Sequence, residues 1–133
     1  MTTLTADQLS MVTLYERLGG AAGIRSLVDG IVEAHLRNPV IKARFLPYLD
    51  QPERVAEIKR HTCAFFSEGS GGPDVYRGRS MAEAHRGMEI SDAEYTAATE
   101  DVLATLATRG HGETTRADVR DILEGLRPDI VGV

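Results

Sequence analysis

Apolar residues along the chain recur at intervals of three and four, a period that divides it into helices. Leu14 and Leu18 sit four apart in a short segment that Gly19-Gly20 stops, because two glycines weaken a helix and readily supply left-handed dihedrals at its end. From Ala21 onward, Ile24, Leu27, Val28, Ile31, Val32 and Leu36 form the stripe of an amphipathic helix running to Asn38-Pro39, with His35 on the same stripe. A short Val40-Ile41-Phe45-Leu46 segment follows, and Pro47 and Pro52 bracket a loop. Glu53 to Ser67 makes the next helix, with Val55, Ile58, Thr62, Phe65 and Phe66 inward and His61 at the border of that face.

The stretch Glu68-Gly69-Ser70-Gly71-Gly72-Pro73 cannot continue a helix, and the chain is expected to stay irregular to about Arg79. Met81, Ala84 and His85 share a face of a short helix that Gly87 ends. Ser91 and Glu94 have the spacing of a capping box, and Tyr95, Ala98, Val102, Leu103 and Leu106 form the stripe of a helix to about Arg109. After a Gly110-His111-Gly112 loop, Val119, Ile122, Leu123 and Leu126 mark a last helix that Pro128 cannot extend far. No segment alternates with period two, so the class is all-α, without internal repeat or low-complexity tract. Residues 1–12 read as a polar tail and 13–133 as a single domain.

Composition narrows the function. With 42% hydrophobic and 26% charged residues, the chain is an ordinary globular protein with no room for a membrane span. A net charge of -5 supplies no basic field for a phosphate backbone, which sets aside nucleic acid and anionic membranes as main partners. The single Cys63 allows no internal disulfide and no multi-cysteine zinc pattern, and MTTLTADQLS lacks the basic start and apolar run of a secretory signal; both point to the cytoplasm. Aromatics are 5% with no Trp, so an aliphatic core has room to be completed by something that is not protein.

Several chemistries lack their residues. Gly69-Ser70-Gly71-Gly72 has no following Lys-Ser/Thr to cradle a phosphate, and no placed serine or cysteine nucleophile appears. His61-Thr62-Cys63 offers two metal-ligand types without a second cluster, and Cys63 reads as a small half-buried hydrophobe. Glu53, Glu57, Glu68, Glu94, Glu100, Asp101 and Asp118 fall at solvent-facing helical positions and form no catalytic pair. His35 and His111 read as hydrogen-bonded or surface histidines. His85 differs: Met81, one turn earlier, aims a soft apolar side chain and a neutral imidazole into the same pocket, opposite an Ile58, His61, Thr62, Phe65 face flanked by Phe45. A flat iron porphyrin requires such a set, one nitrogen ligand, an apolar wall and an aromatic at the ring edge, although the same spacing also suits plain core.

Leu14-Tyr15-Glu16-Arg17-Leu18-Gly19-Gly20, then Phe65-Phe66 followed by Gly71-Gly72-Pro73, then Tyr76-x-Gly78-x-x-Met81-x-x-x-His85 resemble the truncated haemoglobins of group I. The resemblance is ordered and runs from about Thr13 to Pro128, including Ile122-Leu123-x-x-Leu126-x-Pro128. It implies a two-over-two α-helical sandwich around haem b, with His85 as proximal iron ligand and Phe45 packed against the porphyrin. Ile58, Thr62, Phe65, Met81 and Tyr95 are the further haem-lining candidates, and Lys59, Arg60 and Arg79 the cations nearest to the propionates. The last helix has no histidine where certain relatives attach haem covalently, so non-covalent haem is expected.

The chain also departs from the family. Many members carry a Tyr whose hydroxyl donates to bound dioxygen; here Val32 stands there, preceded by Ile31 where Phe is common. A frequent distal Gln is matched by Thr62, whose shorter hydroxyl can satisfy itself on the carbonyl one turn back. His61 occupies a place from which some members send a second histidine to the iron. The resemblance therefore implies reversible binding of oxygen, nitric oxide or carbon monoxide, serving oxygen transport or nitric-oxide dioxygenation with an external reductase. The alternative is a hexacoordinate redox or ligand-sensing globin with His61 as displaceable sixth ligand, and a third reading is a helical scaffold without cofactor.

Overall fold

In the computed structural model, which describes residues 12–74, 76 and 79–133, Thr13 opens the fold as an N-cap, its hydroxyl accepting the Glu16 backbone N–H at 3.1 Å. Helix α1 (Leu14–Arg17) ends at the expected glycines, yet no loop follows: Gly19 (φ 94) and Gly20 (φ 68) turn the chain directly into α2 (Gly20–Arg37). Two successive left-handed residues are accessible to glycine at no steric cost, which is why the corner can be this tight. Ile24, Leu27, Val28 and Ile31 of α2 are all buried, as their spacing requires.

The segment after α2 is more regular than the sequence suggests. It forms a short α3 (Lys42–Phe45) and a 3-10 turn (Leu46–Tyr48) that contains Pro47, while Pro52 is the first residue of α4 (Pro52–Gly69). Both prolines sit where an N–H has no helical acceptor, so they start elements instead of breaking them. Helix α5 (Met81–His85) begins at the Ser80 cap, and α6 (Asp92–Thr108) carries the expected capping box between Ser91 and Glu94. Helix α7 (Glu113–Ile130) runs two residues past Pro128, because a proline in the last turn removes a single bond near the helix end.

Leu18, Ile24, Leu27, Val28, Ile31, Phe66, Val102, Leu106 and Val119 make one core cluster from both layers. Helix α2 packs on α4 and on α6, α6 packs on α7, and α5 leans on α7. The architecture is a two-over-two α-helical sandwich, and the described residues contain no strand, only an isolated Ile90–Val131 bridge. No helix among them is long and apolar enough to cross a membrane.

Candidate functional site

Helix α5 is short, and none of its residues is fully buried. Ser80 starts it by accepting the Glu83 N–H at 3.2 Å, and it ends at His85, whose Nδ1 lies 2.8 Å from the Met81 carbonyl. A carbonyl only accepts, so Nδ1 carries the proton and Nε2 keeps its lone pair, the tautomer a metal ligand needs. Met81, Ala84 and His85 are all half-buried.

Helix α4 presents the complementary apolar surface. Its only fully buried residues are Phe66 and Ser67 near the C-terminal end; Val55, Ile58, Thr62 and Phe65 stay half-buried. The Thr62 hydroxyl donates to the Ile58 carbonyl at 2.7 Å, as its short side chain suggested, and Val32 on α2 is half-buried with no polar group to offer. Phe45, at the end of α3, is half-buried with its ring 5.6 Å from that of His35.

These residues suit a flat apolar metal complex on two grounds. Helix α4 packs on α2 and α5 on α7, with no comparable contact between α4 and α5, so Ile58 and Phe65 on the one and Met81 on the other stay half-buried without closing a core against each other. Among the described residues no group of three or more His, Cys, Asp and Glu side chains could hold a metal ion, so a metal at His85 must bring its other ligands with it.

Other candidates are engaged elsewhere. His61 has a side chain 52% exposed, with Nε2 3.7 Å from Glu57 Oε1 and its ring 6.0 Å from that of Tyr76. Tyr76 also meets Phe65 edge-on at 6.1 Å and donates its hydroxyl to the Arg79 carbonyl at 2.8 Å. Lys59 pairs with Asp29 at 3.0 Å, while Arg60 and Arg79 are exposed. Tyr95 is buried between α6 and α7, donating its hydroxyl to the Leu123 carbonyl under the Arg127 guanidinium, 4.9 Å from the ring centroid. Burial pushes the Tyr95 hydroxyl up to about 12, so it remains a donor and ties the two helices.

Three acidic residues expected at the surface are partners across the fold, the most exposed of them Asp118, which accepts Arg17 Nη2 at 2.6 Å. Asp101 accepts from Asn38 at 3.1 Å and lies 2.8 Å from His35 Nδ1, with both the His35 and Asp101 side chains largely covered. Glu94, besides its capping role, takes a bidentate grip from Arg44, Nε to Oε2 at 2.8 Å and Nη2 to Oε1 at 3.0 Å. The Arg44 guanidinium holds the Glu94 carboxyl at about 2, below the ordinary 4.5. A folded pKa lowered in this way gives stability that is fully present above the unfolded value and is lost as pH falls toward the folded one. Glu94→Gln should therefore flatten the fall in Tm between about pH 5 and about pH 2, measured by thermal melts. An acid limb as steep as the parent's would show that the pair contributes nothing.

Comparison with known proteins identifies the family and the fold. The bacterial-like globin family model matches residues 13–131. The group 1 truncated haemoglobin GlbN of Synechocystis sp. is 36% identical over 113 residues, covering 82% of this chain and 87% of that protein. The group 1 truncated haemoglobin of Tetrahymena thermophila is 28% identical over 120 residues, covering 90% and 95%. Among solved structures, the Fe(III) truncated haemoglobin from Tetrahymena pyriformis superposes with a TM-score of 0.82 at 27% identity, covering 92% of this chain and 100% of that one. The 2/2 haemoglobin from Synechococcus sp., in the cyanomet state with covalently attached haem, gives 0.81 at 26%, with the same coverage. The chain belongs to the bacterial-like globin family as a group 1 truncated haemoglobin, and so to proteins that bind diatomic gases through haem.

Proposed function

We propose that the chain holds haem b non-covalently through His85 and reversibly binds dioxygen, nitric oxide or carbon monoxide in the cytoplasm. The observation that carries this reading is the Met81 carbonyl on His85 Nδ1, which fixes the imidazole tautomer and leaves the Nε2 lone pair to a metal, on a helix whose Met81 and Ala84 are half-buried. Bound haem supplies an iron with one coordination position for the gas. Met81, Phe45, Ile58 and Phe65 would keep water from it, and α7 carries no histidine that could attach the porphyrin covalently.

The distal residues set the ligand preference. The Thr62 hydroxyl is committed to the Ile58 carbonyl and Val32 offers no donor, so a gas that relies on a donated hydrogen bond is held without one. Such a bond to a partly charged oxygen contributes on the order of 1 to 3 kcal/mol, so dioxygen should leave fast relative to carbon monoxide. The catalytic use of the same site is nitric-oxide dioxygenation, in which nitric oxide, dioxygen and one electron give nitrate. A reductase must supply that electron.

His61 separates this reading from bis-histidyl ligation. Its exposed ring, turned to Glu57 and Tyr76, favours a place at the rim. Carbon monoxide rebinding after flash photolysis tests this: the ferrous parent and His61→Leu should both bind at rates linear in gas concentration. A parent rate that saturates, with saturation removed by His61→Leu, would establish His61 as a displaceable sixth ligand.

A further inference from the structure

The turn behind His85 is held by residues far from it in sequence. After α5 the chain passes through Gly87 (φ 84) and Glu89 (φ 51), the latter the one non-glycine residue at positive φ among those described. A left-handed Glu is strained and persists where its surroundings fix it. Met88, between the two, donates its N–H to the His85 carbonyl at 3.1 Å, and its own carbonyl accepts Arg44 Nη1 at 2.7 Å. The other two nitrogens of Arg44 that form hydrogen bonds, Nε and Nη2, are spent on Glu94, whose Oε1 also accepts the Ser91 N–H at 3.2 Å. On the C-terminal side, the Gly87 N–H reaches the Val133 carbonyl at 3.2 Å and the Gly132 N–H the Ile90 carbonyl at 3.0 Å.

Arg44 immediately precedes Phe45. One guanidinium thus joins the corner that carries the aromatic candidate, the start of α6 and the turn that carries the histidine candidate. A planar fork of donors can serve a carboxylate and a carbonyl together, which the single head group of lysine cannot match.

We propose that Arg44, clasped by Glu94, is a positioning residue for the proximal side, bracing the turn behind His85 through Met88 and locking it to the Phe45 corner so that haem escapes when the clasp opens. The proposal rests on the reading of His85 as the iron's ligand. Removing the guanidinium leaves the Met88 carbonyl and the Glu94 carboxylate to water, and the strained turn loses a brace that the C-terminal contacts do not replace.

The test uses the haem-loaded full chain, with haem transfer to an excess of apomyoglobin as one readout and the iron–histidine stretching band of the ferrous protein as the other. The Arg17→Met variant serves as control, since it cuts an ion pair of Arg17 with Asp118 at 2.6 Å that touches neither α3 nor α5. Arg44→Met should release haem about tenfold faster than this control and broaden or shift the band, and Arg44→Lys should restore part of both, as expected for loss of a charge-assisted hydrogen bond. Should Arg44→Met fail to fold, Glu94→Gln is read in its place and should move both signals in the same direction by less. Haem loss and a band equal to the control's in the variant that is read would overturn the clasp. An iron–histidine band that His85→Gly fails to remove would overturn the ligand assignment itself and the clasp with it.

Discussion

A His85→Gly protein is expected to take up no stable haem in buffer, and to regain a defined haem spectrum when imidazole is added. The expectation follows from where the four histidines lie. His35 Nδ1 is engaged by Asp101, the His61 ring is turned outward to Glu57, and His111 lies in the loop between α6 and α7. His85 alone has its Nδ1 on a carbonyl of its own helix, beside the half-buried Met81. Removing its ring leaves a space of imidazole shape beside Met81 with no nitrogen in it, and the polypeptide should still fold because α5 contributes no buried residue to the core. Optical titration with haemin checks this, and a variant that keeps the parent's spectrum without imidazole would move the ligand elsewhere.

The second large effect concerns the corner that begins the fold. A Cβ on Gly23 would sit 2.0 Å from the Leu18 carbonyl oxygen, a backbone atom that cannot swing aside. Leu18 is 2% exposed and Ile24 1%, so the corner cannot open without pulling α1 and the first turn of α2 out of the core. Gly23→Ala should therefore cost more than about 3 kcal/mol in urea unfolding, at the upper end of single substitutions. Gly125 on α7 is the contrasting case: a Cβ there meets nothing within 4 Å, and alanine should stabilise the helix by about 0.5 to 1 kcal/mol. A Gly23→Ala chain as stable as the parent would mean that the corner is looser than described.

The sequence discloses what is decided within one helix and conceals what is decided between helices. The stripe of α2, the Ser91–Glu94 capping box and the return of the Thr62 hydroxyl to Ile58 are all set by residues within one or two turns, and each is readable from spacing. His85 is legible for the same reason, since Met81 lies on its own helix. Arg44 with Glu94, His35 with Asp101, and Lys59 with Asp29 join separate helices, and no periodicity marks such pairs. Glu94 and Asp101 therefore look like ordinary surface acids, and Lys59 like a free cation, until the packing of α2 and α3 on their neighbours brings the partners together. Tyr95 is a further case: its place on the α6 stripe is readable, while the Leu123 carbonyl that takes its hydroxyl belongs to α7. The loop expected between Pro47 and Pro52 is shortened to 49–51, since Pro47 lies inside a 3-10 turn and Pro52 opens α4, and a proline that borders a loop looks the same in sequence as one that starts a helix.

Haemin titration of the purified chain, followed by reduction in the absence of gas, tests most directly whether His85 alone holds haem iron. One haem should bind per chain, and the ferrous spectrum should show a single broad visible band, that of five-coordinate iron on one histidine. A spectrum no different from free haemin would contradict haem binding, and two sharp low-spin bands without added ligand would contradict a single histidine ligand at His85.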